Sequence, residues 1–211
     1  MKLYAYFRSS ASYRARIALN YKGLAHECVA VDLRTAASAQ RTPEFLALNP
    51  EGLVPVLMDG DQVIRQSLAI IEYLEETHPA PPLLPPAPAQ RAQVRALTLA
   101  IACDIHPLNN LRVLNYLRSP LGHDEPQVNA WYAHWIARGF GALEQEVQAL
   151  SADGRHMFGS SVTLADVCIV PQMYNARRLN CDVEPYPRLR AICAHLQTLP
   201  AFAAAAPEAQ P

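Results

Sequence analysis

The sequence holds 211 residues, 51% of them hydrophobic and 18% charged, with a formal net charge of −1. A chain of this length buries a sizeable core as one or two domains, and its near-neutral charge leaves no electrostatic footprint for nucleic acid or an anionic membrane surface. No apolar run approaches the roughly 20 residues that cross a bilayer, and MKLYAYFRSS lacks a signal-peptide core. The expected compartment is therefore the cytoplasm, with neither nucleic acid nor membrane as a partner. Five scattered cysteines (Cys28, Cys103, Cys168, Cys181, Cys193) form no CxxC pair and no zinc-ligand spacing. They read as reduced, mostly buried thiols, and no metal is expected.

In chain order, Lys2–Phe7 reads as a strand and Ser12–Tyr21 as a helix ended by Gly23. His26–Leu33 is a second strand. Thr42, Pro43 and Glu44 give an N-cap, a first-turn proline and an acidic first turn for a short helix through Leu48. LVPVLMDGDQVIR supplies two strands around an Asp59-Gly60 turn. Proline donates nothing to a ladder, so Pro55 belongs at the first residue of its strand, with a cis bond after Val54. Such a bend leaves the Val54 backbone free for a ligand peptide. Ser67 is expected to cap the helix SLAIIEYLEETH.

The order βαβ then ββα in about 80 residues is a thioredoxin-like arrangement. Prolines crowd HPAPPLLPPAP (His78–Pro88) and predict an extended linker. The expected domains are 1–82, thioredoxin-like, and 89–211, all-helical, joined by residues 83–88. In the second, Ala89–Leu117 and Val128–Leu150 read as long helical stretches. Thr163 and Asp166 form a capping box ahead of an apolar run. Pro187–Gln197 is a short last helix, and AAAAPEAQP reads as frayed.

The candidate chemistry lies at four places: the Ser9-Ser10 turn, the Val54-Pro55 bend, the Gln66-Ser67 helix start and the polar run CDIHPLNNLR (Cys103–Arg112). In a thioredoxin-like domain the first three meet at one end of the sheet. Helix starts there favour anions. Taken alone, the serines read as N-caps, Asp166 as structural, His106 as a surface or core histidine, and Arg14 and Arg16 as solvated or paired.

The ordered series SSxSxRxRIAL, ALNPxxxVP, QSLAIIEYLEE, CDIHPLNN, SVTLADVCIVPQ and PYPRLRAI runs almost end to end. It resembles the zeta-class glutathione S-transferases, in particular their bacterial maleylacetoacetate and maleylpyruvate isomerases. The resemblance implies the fold above, glutathione as cofactor, a small dicarboxylate substrate and a homodimer. It makes Ser9 the hydroxyl that bonds the glutathione sulfur, with Ser10, Ala11, Ser12, Tyr13 and Arg14 lining the same turn. Gln40 and the Val54 backbone contact the glycine and cysteine parts of glutathione, and Gln66 and Ser67 its γ-glutamyl end. His106, Asn110, Leu111 and Arg112 reach the site from the helical domain. Arg178 binds a substrate carboxylate, with Arg8 and Arg112 as further cationic candidates.

Ala11 stands where many eukaryotic members carry cysteine, and His106 where they carry glutamine. The family's chemistry uses the thiol of glutathione, so Ala11 removes no essential step. The implied reaction is addition of the thiolate to a cis-enone, bond rotation and elimination. A free thiol near pKa 8.5 needs help to ionise at neutral pH, which a serine donor and a helix start provide. The alternatives are a general glutathione transferase that conjugates electrophiles, or a non-enzymatic assembly module. An intact thiol-facing serine argues against the module, and clustered arginines favour a dianionic substrate over apolar electrophiles.

Overall fold

A computed structural model of the chain describes residues 1–33 and 39–210. The contacts divide it into two units: Met1–Pro82 together with the segment from Thr198 on, and Leu83–Gln197.

In the first unit the strands β1 (Lys2–Ala5), β2 (Glu27–Ala30), β3 (Val56–Asp59) and β4 (Gln62–Arg65) form a sheet in the order β2-β1-β3-β4. β1 and β2 run parallel, while β3 is antiparallel to both β1 and β4. Alternation along β1 buries Leu3 and Ala5, as expected of a strand with one face on a core. β1 stops two residues short of its predicted end because the chain turns at Tyr6, whose carbonyl accepts from Ser9 N–H (3.0 Å). Helix α1 (Ser10–Tyr21) accordingly begins two residues earlier than the sequence suggests, with Ser9 as N-cap. Its end is a Schellman motif. Gly23 takes φ +66° and the Leu24 N–H returns to the Leu19 carbonyl (2.9 Å). Thr42 caps α2 (Pro43–Leu48) through Phe45 N–H, as predicted.

Two sequence expectations fail in this unit. Of the two readings for Arg14 and Arg16, solvated or paired, the first fails, since they are only 1% and 2% exposed. Arg16 donates to the Ala205 and Phe7 carbonyls, and burial lowers its guanidinium to about 10, so it stays charged at neutral pH. Nor is the C-terminal segment frayed. Pro200–Ala205 forms a helix on the first unit, with Phe202 and Ala205 fully buried. Asn20 bonds the Ala201 carbonyl as Arg16 bonds that of Ala205. An alanine run has the highest helix propensity, and here side chains of α1 satisfy its carbonyls. Helix α3 (Ser67–Thr77) is anchored at its far end by Lys22, whose ammonium meets Glu75 (2.8 Å) and the His78 and Pro81 carbonyls.

The second unit is helical. Leu83 and Leu84, predicted as linker, are buried in it, and the Leu83 carbonyl accepts from Leu164 N–H (2.9 Å). The predicted stretch Ala89–Leu117 is three pieces: α4 (Pro88–Leu99), a π-helical turn (Ala100–Ile105) and α5 (Leu111–Arg118). Pro107 lacks an N–H and interrupts the ladder, while Asn110 restarts it as the N-cap of α5. α6 (Glu125–Leu150) begins earlier than predicted, because Asp124 and Gln127 make a capping box. The box at Thr163 and Asp166 opens α7 (Leu164–Arg178) as expected. Asp166 is fully buried and accepts from Met157 N–H, Thr163 N–H and Thr163 Oγ1–H, each at 2.7 Å. α8 (Pro187–Leu196) follows, and the terminal helix described above (Pro200–Ala205) is α9.

Candidate active site

The register gathers three of the predicted positions at one end of the sheet. Tyr4 pairs with Val56 and Val56 with Arg65. The residues beyond them (the Ser9 turn, Val54 and Gln66) therefore leave the sheet at the same edge. Ser9 Oγ accepts the Ser12 N–H (3.2 Å). That uses an oxygen lone pair and leaves the hydroxyl proton to donate elsewhere.

The Val54-Pro55 bond is cis. The Val54 side chain packs against the small core of Val31, Phe45 and Val56. Neither its N–H nor its carbonyl has a backbone partner among the described residues. Gln66, not Ser67, occupies the N-cap position of α3, at φ +68° and without a side-chain cap bond. Its amide is instead drawn to Glu51 (2.8 Å). Positive φ in a non-glycine residue is uncommon and concentrates at functional positions. The first N–H groups of α3 thus carry no capping side chain. Gln40 lies in the turn Ala39–Arg41, and its Oε1 is buried without a hydrogen-bond partner among the described residues.

This donor set fits a small peptide thiol. It offers unpaired backbone groups at Val54 just ahead of β3, an uncapped helix start for a carboxylate, an unpaired amide oxygen at Gln40 and a hydroxyl donor at Ser9. Arg8 is exposed, with its guanidinium 4.9 Å from the Phe7 ring centre. Ser10, Ser12, Tyr13 and Arg14 are buried and Ala11 half-buried, so from this helix turn only Ser9 and the backbone offer accessible polar groups near the edge.

In the second unit, His106 ends the π-helical turn and Asn110, Leu111 and Arg112 open α5. Asn110 Oδ1 accepts the Arg112 N–H (3.1 Å), which fixes the orientation of its amide. The amide nitrogen then faces His106 Nε2 at 3.4 Å, so that ring nitrogen is the acceptor and neutral His106 carries its proton on Nδ1. Leu111 and Arg112 are exposed. Arg178 is exposed at the C-terminal end of α7, where a cation is favoured. Close by, burial holds the Tyr132 hydroxyl well above its ordinary range, and the Arg178 charge opposes that shift.

Sequence reasoning missed Trp131 and the structural part of Asn109. The Trp131 indole N–H bonds the Leu108 carbonyl (2.9 Å) and Asn109 Nδ2 the Tyr132 carbonyl (3.2 Å). The aromatic spacing WYAHW was the available signal, but it reads equally well as a plain helix face.

A four-stranded thioredoxin-like unit with unpaired backbone and helix-start groups at one end of its sheet, followed in the chain by a helical unit, is the architecture of the glutathione-binding class of proteins. Residues 3–82 match the family described as glutathione S-transferase, N-terminal domain. A probable maleylacetoacetate isomerase of Vibrio cholerae is 53% identical over 99% of this chain and 96% of its own length. A holo structure of a maleylpyruvate isomerase, a bacterial zeta-class glutathione S-transferase, superposes with TM-score 0.96 at 49% identity, covering 100% of this chain and 99% of that one. A maleylacetoacetate isomerase of Methylobacterium extorquens AM1 with bound malonate and glutathione gives TM-score 0.95 at 39% identity, covering 100% and 98%. The chain belongs to the glutathione S-transferase family and, within it, to the zeta class of maleylacetoacetate and maleylpyruvate isomerases.

Proposed function

We propose that the chain is a glutathione-dependent cis–trans isomerase that converts maleylacetoacetate to fumarylacetoacetate. The observation that carries this reading is the hydroxyl of Ser9. Its oxygen caps α1 and its proton is left to donate, at the sheet edge where Val54 and the start of α3 are unpaired. A donor there favours an anionic sulfur over a thiol. When bound, glutathione supplies the sulfur nucleophile whose reversible addition lets a cis double bond turn.

The chain's own residues hold and orient. The Val54 backbone pairs with the peptide, and Gln40 contacts its glycine end. Gln66, Ser67 and the α3 start take the γ-glutamyl carboxylate, and in the second unit His106, Asn110, Leu111 and Arg112 are the proposed ligand-facing group. Arg8 and Arg178 neutralise the two substrate carboxylates, for which a guanidinium fork is the matching geometry. The first unit thus supplies the main glutathione contacts, and the second, through Arg178, a contact for the substrate. The working form is a homodimer in the cytoplasm. Malonate and glutathione bound together in the Methylobacterium relative support a dicarboxylate beside the thiol.

Maleylpyruvate is the second reading, favoured by the near-coincident fold of the maleylpyruvate isomerase relative. The test is to give the protein a trace of glutathione and an excess of each maleyl substrate in turn. Complete conversion to the fumaryl product with free thiol unchanged is expected. Loss of thiol in step with turnover would make the chain a conjugating transferase. The substrate with the larger kcat/KM is the physiological one.

A further inference from the structure

The segment His106–Asn110 carries two of the proposed binding residues but has weak local support. Pro107 contributes no N–H, and the turn bonds are long: Asn109 N–H to the Ile105 and His106 carbonyls at 3.3 and 3.2 Å, and Asn110 N–H to Pro107 at 3.4 Å. Bonds of 2.9 Å hold its two ends, from His106 N–H to the Ile101 carbonyl and from Val113 N–H to the Asn110 carbonyl, and a third of that length reaches its middle from 23 residues away. Trp131 Nε1–H donates to the Leu108 carbonyl at 2.9 Å, and Asn109 returns a bond to the carbonyl of the next residue, Tyr132. Asn109 is buried, so both ends of that second bond are fixed inside the unit. We propose that Trp131 and Asn109 are positioning residues that clamp this loop to α6 and so set where His106 and Asn110 present their polar groups.

The clamp acts on direction as well as place. Leu108 and Asn109 lie between His106 and Asn110, whose side chains meet at 3.4 Å. Releasing the Leu108 carbonyl lets the turn rotate, and the His106–Asn110 contact and the Asn110 cap of α5 are lost together. Trp135 supplies an internal control. Its ring stands edge-on to that of Trp131, with centres 5.6 Å apart, yet its own indole N–H is buried without a hydrogen-bond partner among the described residues. Trp131→Phe and Trp135→Phe therefore remove equivalent bulk, but only the first removes a bond to the loop.

The proposal rests on the isomerase reading, and the experiment separates the two. The first readout is amide hydrogen exchange across residues 106–112 in the protein without ligand. Trp131→Phe should speed exchange in that segment about three- to tenfold, the scale of one neutral hydrogen bond. Trp135→Phe should leave it unchanged. The second is kinetic: Trp131→Phe should raise KM for glutathione by a similar factor while kcat changes less. Asn109→Leu should behave like Trp131→Phe, and circular dichroism confirms that each variant is folded. Equal effects from both tryptophan variants, or none from Trp131→Phe, would overturn the clamp. Wild-type protein without isomerase activity would overturn the functional reading instead, while the exchange result still decides the clamp.

Discussion

Gly139 of α6 faces Ile105 so closely that a Cβ at position 139 would overlap the Ile105 side chain. The π-helical turn, which ends at Ile105, is thereby seated directly on the α6 backbone. Gly139→Ala should gain up to about 1 kcal/mol from helix propensity and lose about 1–3 kcal/mol to overpacking. The expected net result is destabilisation, read from urea unfolding. Removing the clashing atoms with Ile105→Ala in the same chain should recover part of the loss, so the two changes will not add.

Ser9 caps α1, and the proposed reading gives it a second, separable task at the sulfur. Ser9→Ala should cost about 1 kcal/mol through the lost cap and raise the pKa of bound glutathione. Ser9→Asp keeps a good capping oxygen but places a carboxylate where a donor was. It should restore stability while raising the thiol pKa further. Ultraviolet titration of the thiolate and thermal melts on both variants distinguish the roles. A titration unchanged in both would return the task to the backbone.

Arg178→Met should weaken substrate far more than glutathione. A charge-assisted bond contributes about 1.5–3 kcal/mol, which is roughly a ten- to hundredfold rise in KM for substrate. Steady-state kinetics with each ligand varied decides. Equal losses for both ligands would place Arg178 outside the substrate contacts.

Asp166 gives a pH signature. Burial raises its carboxyl from 3.8 to about 6, against three hydrogen bonds and the nearby His156 that pull it down. Between those values the folded state holds more protons than the unfolded one. The group's contribution to stability is therefore full below about 3.8 and lost as pH rises to about 6. Asp166→Asn cannot titrate, so its stability relative to wild type should improve across that window and level off above it. Urea unfolding at a series of pH values measures the difference. A flat difference would mean that the three hydrogen bonds outweigh burial.

The first unit was largely legible in sequence because its signals are local. Thr42-Pro43, Asp59-Gly60 and the proline at 55 each specify their own backbone. The residues that the sequence misplaced depend on distant partners. Arg16 could be read as solvated or paired but not as buried, because nothing nearby in the sequence shows that α9 covers α1. Gln66 could not be recognised as the strained N-cap of α3, since a serine beside it is the better capping residue by type. The break at Pro107 was visible as a proline, but the bond from Trp131 that holds the broken stretch spans 23 residues. For the proposed site, residue types, order and the choice of Ser9 were readable through the resemblance, whereas the cap bond that occupies a lone pair of Ser9 Oγ required the structure.

The return of α9 to α1 sets the order of synthesis against the order of assembly. A ribosome making this chain releases Met1–Pro82 first, yet that unit lacks its closing helix until all of Leu83–Gln197 has been made. At about 5–20 residues per second the wait is on the order of ten seconds. Through that interval α1 emerges with the charge of Arg16 and the apolar surface meant for Phe202 both uncovered. The first unit therefore cannot close until the end of the chain is made, while the helical unit, continuous in the chain, can fold as it appears.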